Sequence, residues 1–220
     1  MAAPFADAGH FEQLHARSAD PWGVHARWYE RRKRDLLLAA LPRARYAQGF
    51  EPGCSVGGNT LALAARCDQL IACDASTAAL DRAAATLKGV RNVVLRHWTF
   101  PHRWPDTPSD LIVVAELAYY LPPEDFARFL AEVPAHLQRG GHLALCHWRA
   151  PVADAQADGD GIHGAARQAL ALDSVGSWGD EDMRIDIWQH GGTTSVAATG
   201  GAQERLASVP APAPTPESAP

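Results

Sequence analysis

The stretch AQGFEPGCSVGGN, residues 47–59, decides how the rest of the chain is read. An apolar run leads to an acid, Glu51, and a glycine-rich turn follows with Gly53, Gly57 and Gly58. The helix-forming segment NTLALAARC comes next. Glycines between a strand and a helix let backbone N–H groups and the helix N-terminus approach a ligand closely. About twenty residues on, a second apolar run ends at Asp74 in IACD, and an acid there suits the two hydroxyls of a ribose. The same turn also spells Gly53-Cys54-Ser55-Val56-Gly57, the G-x-S-x-G string of a serine nucleophile elbow. Two chemistries therefore share these residues, and their surroundings must separate them.

Working outward, strand-like and helix-like segments alternate. Strands are expected near 48–52, 69–74, 91–97, 110–116 and 141–147, with helices over 58–67, 76–88 and 123–138. Ser76 opens the second of these helices, Gly89 closes it, and Pro134 is expected to kink the third. DLIVVAE at 110–116 is a near-continuous apolar run, as a strand covered on both faces requires. This alternation predicts a parallel α/β sheet. Beyond residue 148, IHGAARQALAL reads as a helix. DMRIDIWQ, HGGT and TSVAAT then read as strand, turn and strand, an antiparallel hairpin at the sheet edge. Upstream, FEQLHARS is a short helix stopped at Asp20-Pro21-Trp22-Gly23, and residues 26–41 form a second. The domain reading is an N-terminal helical lid segment over 1–45, a main domain over 46–199 and a disordered Ala/Pro-rich tail over 200–220.

The 220 residues carry a net charge of −5, which speaks against nucleic acid or an anionic membrane as partner. No apolar run approaches the roughly 20 residues of a membrane span, and no signal peptide is recognisable. Cysteines 54, 67, 73 and 146 form neither a CxxC pair nor a metal-ligand spacing. Buried thiols, a cytoplasmic location, no metal, and a monomer or weak dimer are expected.

Position favours the cofactor reading over the hydrolase. A hydrolase elbow follows several strands, whereas this turn ends the first confident one. A triad could be drawn from Ser55, Asp110 and His147 or His163. Asp110, however, opens its strand, the wrong end for a site at the carboxyl edge of a sheet. Glu51–Gly57, Asp74, His97–Trp98 and Glu116 all lie at strand ends on that edge. A dinucleotide is the remaining rival. The turn lacks the third glycine of G-x-G-x-x-G, and Glu51 would repel a pyrophosphate. An acid there suits a cationic, amine-bearing ligand such as S-adenosylmethionine, which carries a sulfonium and an α-ammonium.

At these residues the chain resembles a family. EPGCSVG at 51–57, Asp74 and Glu116-Leu117-Ala118-Tyr119-Tyr120 look like the class I S-adenosylmethionine-dependent methyltransferases, and more closely the nodulation protein S group. Pro21-Trp22-Gly23, the run Trp28 to Lys33, His147-Trp148-Arg149 and residues 158–163 add to the likeness. The resemblance implies a Rossmann-like methyltransferase fold: a mostly parallel seven-stranded sheet, helices on both faces, an antiparallel edge hairpin. It implies S-adenosyl-L-methionine as cofactor and a small-molecule amine or aminosugar, chitooligosaccharide-like, as acceptor. Gly53, Ser55 and Gly57 would border the methionine and ribose, Glu51 the α-ammonium, and Asp74 the ribose hydroxyls. No acid follows the third strand, so Trp98 would stack on the adenine. Arg31 would meet the cofactor carboxylate.

For the chemistry, Glu116, Tyr119 and His147 are the catalytic candidates, because an amine nucleophile must lose its proton. Tyr120, Trp148, Arg149 and His163 are candidate acceptor contacts. A catalytically degenerate, binding-only methyltransferase fold is the non-enzymatic alternative.

Overall fold

The computed structural model describes residues 7–193 and 195–199. The proposed tail, residues 200–220, lies outside the described residues, as do the first six.

The chain begins with α1 (Ala8–Arg17), capped by the Asp7 carboxylate accepting from the His10 N–H at 2.8 Å. Then come α2 (Trp28–Ala40), β1 (Tyr46–Pro52), α3 (Gly58–Ala64) and β2 (Cys67–Asp74). Next are α4 (Thr77–Thr86), β3 (Val93–His97), β4 (Ser109–Ala115) and a single 3-10 turn at Ala118–Tyr120. The chain continues with α5 (Pro123–His136), β5 (Leu137–Trp148), α6 (Gly159–Ala169), β6 (Asp173–Gly179), β7 (Met183–Gln189) and a short α7 (Val196–Thr199). The sheet has seven strands in the order β3-β2-β1-β4-β5-β7-β6. The first five run parallel to their neighbours, while β7 is antiparallel to both β5 and β6. The strand order reverses between β1 and β4, and in open sheets a ligand sits beyond the carboxyl ends at such a point.

Every residue of β4 is buried, and its side chains alternate between two cores. Ile112 and Val114 join Phe50, Phe129, Leu143 and Leu145 under α5 and α6. Leu111 and Val113 join Leu37, Tyr46, Leu63 and Ile185 under α2 and α3. Each fully buried aliphatic chain contributes about 1.5–3 kcal/mol of transfer free energy, so the two layers fix the sheet on which the rim is mounted.

The edge hairpin exists, but not where the sequence put it. Residues 183–189 are its inner strand, and its partner is the preceding segment 173–179. Residues 196–199, expected as the returning strand, are helical. Helix α5 runs on through Pro134 to His136. α1 lies across the carboxyl end of the sheet. The Glu12 carboxylate accepts from the Ser76 hydroxyl at 2.7 Å, the Thr77 hydroxyl at 2.9 Å and the Ala78 N–H at 3.2 Å, at the N-terminus of α4. An anion is favoured there because those backbone donors have no helical partner.

Candidate active site

The glycine turn holds three residues in the left-handed region: Gly53 (φ 71°), Ser55 (φ 49°) and Gly57 (φ 83°). At Gly57 a side chain would also meet the Ala83 backbone at 3.2 Å, so α4 approaches the turn because the residue is bare. Asp74, at the tip of β2, faces this turn. One carboxylate oxygen accepts from the Ser55 N–H and the other from the Ser76 N–H, both at 2.9 Å. Burial raises the Asp74 pKa, while these two bonds work in the opposite direction.

Glu51 at the end of β1 is 2% exposed, and its Oε2 has no hydrogen-bond partner among the described residues. Burial, with a smaller push from the charge of Asp74, lifts its pKa to about 8 against the opposing pull of the Thr60 hydroxyl. A lone buried carboxylate is costly unless something cationic joins it. Over the turn lies His15 of α1, its Nε2 3.5 Å from the Ser55 hydroxyl and its buried Nδ1 unpartnered. Burial lowers the His15 pKa against the opposing pull of Asp74, Glu12 and Asp20. Phe11, one turn earlier, meets Tyr120 edge-on at 5.0 Å.

The second wall is built on Glu116, just beyond β4 and also at positive φ, 53°. Its Oε1 accepts from Lys33 Nζ at 2.7 Å. Its Oε2 accepts from the Tyr119 hydroxyl and from the Trp148 N–H, the latter at 3.2 Å. Lys33 also meets Glu30 at 2.9 Å and sits 4.9 Å from the centre of the Tyr29 ring. Tyr29 packs edge-on against Trp148 at 4.8 Å, and its buried hydroxyl has no partner. The Glu116 side chain remains 26% exposed.

The rim thus carries acids on the tips of β1 and β2 and just beyond β4. Unsatisfied buried polar atoms, Glu51 Oε2, His15 Nδ1 and the Tyr29 hydroxyl, lie beside them. This donor set fits a cationic nucleoside and opposes a phosphate.

Comparison with known proteins agrees with that geometry. Residues 50–141 match the family described as "Methyltransferase domain". Nodulation protein S of Sinorhizobium fredii is 30% identical over 152 residues, 65% of this chain and 68% of that protein. Nodulation protein S of Rhizobium tropici is 31% identical over 57% of this chain; the match spans 54% of that relative's length. Among solved structures, a putative methyltransferase from Pseudomonas syringae is 41% identical, covering 74% of this chain and all of that one, with a TM-score of 0.65. N-methyltransferase NodS from Bradyrhizobium japonicum, solved with S-adenosyl-L-homocysteine, shares the fold at 24% identity, 83% and 99% coverage and a TM-score of 0.74.

The chain belongs to the class I S-adenosylmethionine-dependent methyltransferases, in the nodulation protein S-like group.

The hydrolase reading of Ser55 is not favoured for a member of this family. The histidine beside Ser55 is His15, whose Nδ1 meets no acid. Asp110 sits at the opposite end of the sheet, accepting from the Ala47 and Gln48 N–H groups and pairing with Arg43. His147 and His163, candidates for the cleft, are instead fully buried in a chain running away from it. The Ala118 N–H donates to His147 Nε2 at 3.1 Å, so that nitrogen is an acceptor. His147 Nδ1–H therefore donates to His163 Nε2 at 3.1 Å, and His163 Nδ1–H donates to Asp186 at 2.7 Å. Burial holds the His147 pKa far down, and both ring nitrogens are engaged, so it has no free site for a substrate proton.

Arg31 is also displaced from its expected place. It faces solvent, bonded to the Ala26 carbonyl at 2.7 Å and lying 6.0 Å over Trp28. Arg34 is the arginine of α2 that lies beside the glycine turn, with Nη1 3.2 Å from where a Gly58 side chain would begin. The Trp98 backbone N–H donates to the Asp74 carbonyl at 3.2 Å, which ties the end of β3 to the tip of β2. Arg149 is committed to Asp160, with its closest contact at 2.9 Å, and to the Asp180 carbonyl. Sequence reasoning missed Glu12, His15 and Lys33. For Lys33 a signal exists: Tyr29, Lys33, Leu37 and Leu41 recur every fourth residue, the spacing of one helix face.

Proposed function

We propose that this protein transfers a methyl group from S-adenosyl-L-methionine to the nitrogen of a small-molecule amine. The observation that carries the reading is the buried Glu51 carboxylate, its Oε2 without a partner among the described residues, beside a glycine turn that Asp74 braces. In this reading Glu51 faces the α-ammonium and Asp74 accepts from the ribose hydroxyls. Gly53, Ser55 and Gly57 let the backbone come close, and Trp98 flanks the adenine side. The cofactor supplies an already activated methyl on a sulfonium, so the protein mainly orients the nucleophile and excludes water. α1, through Glu12, His15 and Phe11, covers the rim in the manner of a lid, and residues 1–45 act as the covering segment. Glu116 faces the acceptor nitrogen, oriented by the Tyr119 hydroxyl and the Trp148 N–H. Tyr120 and Trp148 form the apolar wall beside it. His147 acts one step back, fixing the Ala118–Tyr120 turn that carries both tyrosines.

The likeness to nodulation protein S supports an aminosugar among the acceptors. The test is transfer of labelled methyl to a panel of amines that includes partly deacetylated chitooligosaccharides. Label is expected on an amine nitrogen, and Glu116→Gln is expected to cost about 10²-fold or more. S-adenosylhomocysteine binding with no transfer to any amine would favour the binding-only alternative.

A further inference from the structure

We infer that Lys33 is a positioning residue for Glu116, holding it as a fixed anion that orients the acceptor amine and does not take its proton. This rests on the amine acceptor proposed above. The run from Glu30 to Arg34 carries four cations, and three of them do what surface residues do. Arg31 turns to solvent, Arg32 pairs with Asp180 at the edge hairpin, and Arg34 caps the Val24 carbonyl. Lys33 alone turns inward and is 3% exposed. A buried ammonium is costly, and here the cost is offset by two carboxylates, Glu116 and Glu30, and by the face of Tyr29. Burial works to discharge Lys33, and the two acids outweigh it, so its pKa is raised.

Three groups already donate to the Glu116 carboxylate: Lys33 on one oxygen, and Tyr119 with the Trp148 N–H on the other. These three donors fill all but about one of the carboxylate's acceptor positions and fix its plane. Glu116 also sits at a positive φ that costs a non-glycine residue strain, and its fixed partners hold it there. With Glu30 and Glu116 negative and Lys33 positive, the cluster keeps one unit of negative charge for an incoming cationic group. The amine enters neutral, its proton already lost to bulk solvent, and the cluster's negative charge meets the positive charge that passes from sulfur to nitrogen with the methyl group.

The test is Lys33→Met, with Lys33→Arg as the conservative variant and Glu116→Gln as the second arm of a double-mutant cycle. Calorimetry with S-adenosylhomocysteine is expected to be unchanged in Lys33→Met. Its kcat/KM for the acceptor is expected to fall about 10²-fold, the scale of a misplaced orienting group. The loss should fall on kcat for the acceptor and leave the KM for S-adenosylmethionine in place, as misplacement of an orienting group requires. Lys33→Arg, which keeps a cation beside Glu116, should recover most of that kcat. In the Glu116→Gln background, Lys33→Met should cost nothing further, because Lys33 acts through Glu116. That double variant leaves no unpaired carboxylate at 116, so it stays informative if Lys33→Met alone does not fold. A crystal structure of Lys33→Met should show the Glu116 carboxylate swung off Tyr119 and the Trp148 N–H. This readout stands even if no amine is a substrate. No recovery in Lys33→Arg, fully additive losses, lost S-adenosylhomocysteine binding or an undisplaced Glu116 would each overturn the inference.

Discussion

Replacing Glu51 with glutamine tests the cofactor site through stability as well as binding. The carboxylate is buried without a partner on Oε2, and burial lifts its pKa from 4.5 to about 8. In that interval the native state holds a proton that the unfolded chain has released. Stability therefore falls as pH rises, at up to about 1.4 kcal/mol per unit. Integrated from pH 4.5 to 8, the loss is on the order of 3–4 kcal/mol. Glu51→Gln cannot ionise, so the difference in melting temperature between variant and wild type should widen with pH. At about 2–4 °C per kcal/mol for a domain of this size, the variant should gain on the order of 5–15 °C over that range. Binding should show the opposite preference. At pH 7 a group titrating near 8 is about 0.9 protonated. Pairing with an α-ammonium should expel that proton, which titrations in buffers of different ionisation enthalpy can count. Glu51→Gln should abolish this proton release and weaken S-adenosylhomocysteine roughly 10- to 150-fold, the scale of a lost charged hydrogen bond. A melting difference that stays flat from pH 5 to 8, together with identical buffer dependence, would refute the ammonium role.

Asp74→Ala should weaken S-adenosylhomocysteine by ~1–3 kcal/mol in calorimetry, and unchanged affinity would remove Asp74 from the ribose. Gly57→Ala should lower stability by about 1–3 kcal/mol in chemical denaturation, from the left-handed backbone and the 3.2 Å approach to Ala83; a neutral effect would mean that α4 can retreat. For Asp186, burial opposes ionisation, but the hydrogen bonds of His163 and Ser177 and the charge of Arg184 bring its pKa to about 2. A depressed acid stabilises above its unfolded pKa and loses that contribution as pH falls through the folded one. Asp186→Asn should therefore cost about 2 kcal/mol at pH 7, with a deficit that closes between pH 4 and 2 and with S-adenosylhomocysteine affinity intact; a deficit constant in pH would count against the chain from Asp186 to His147.

What was legible in the sequence is what local chemistry dictates. Glycines at 53 and 57 are demanded by positive φ, and Asp74 is tied to them by the spacing of one βαβ step. The buried run of β4 announces a central strand. What was illegible depends on partners far along the chain. The segment DSVGSWG hid as a strand because its alternation is broken by a register shift between Ser174 and Gly176. There the Trp178 ring folds over Gly176, 2.4 Å from where a side chain would begin. His147 and His163 looked like site residues because they lie near the carboxyl edge, and nothing local shows that Asp186 on an antiparallel strand engages them. Lys33 vanished into a charged run whose inward member is selected only by the sheet beneath it.

The electrostatics of the rim explain why this turn suits a sulfonium nucleoside better than a dinucleotide. Glu51, Asp74 and Glu116 place three carboxyl groups on the tips of β1 and β2 and just past β4, and Lys33 is the buried ammonium among them. Like charges so close raise one another's cost of ionisation, as the upward shift of Glu51 records, with Asp74 among its causes. A pyrophosphate would add negative charge to that cost, whereas an α-ammonium and a sulfonium relieve it at both ends of the cleft. Binding energy and charge relief therefore favour the same ligand. The Glu51 titration and the Lys33 cycle probe the two ends separately: one tests the proposed ammonium contact, the other the proposed acceptor contact.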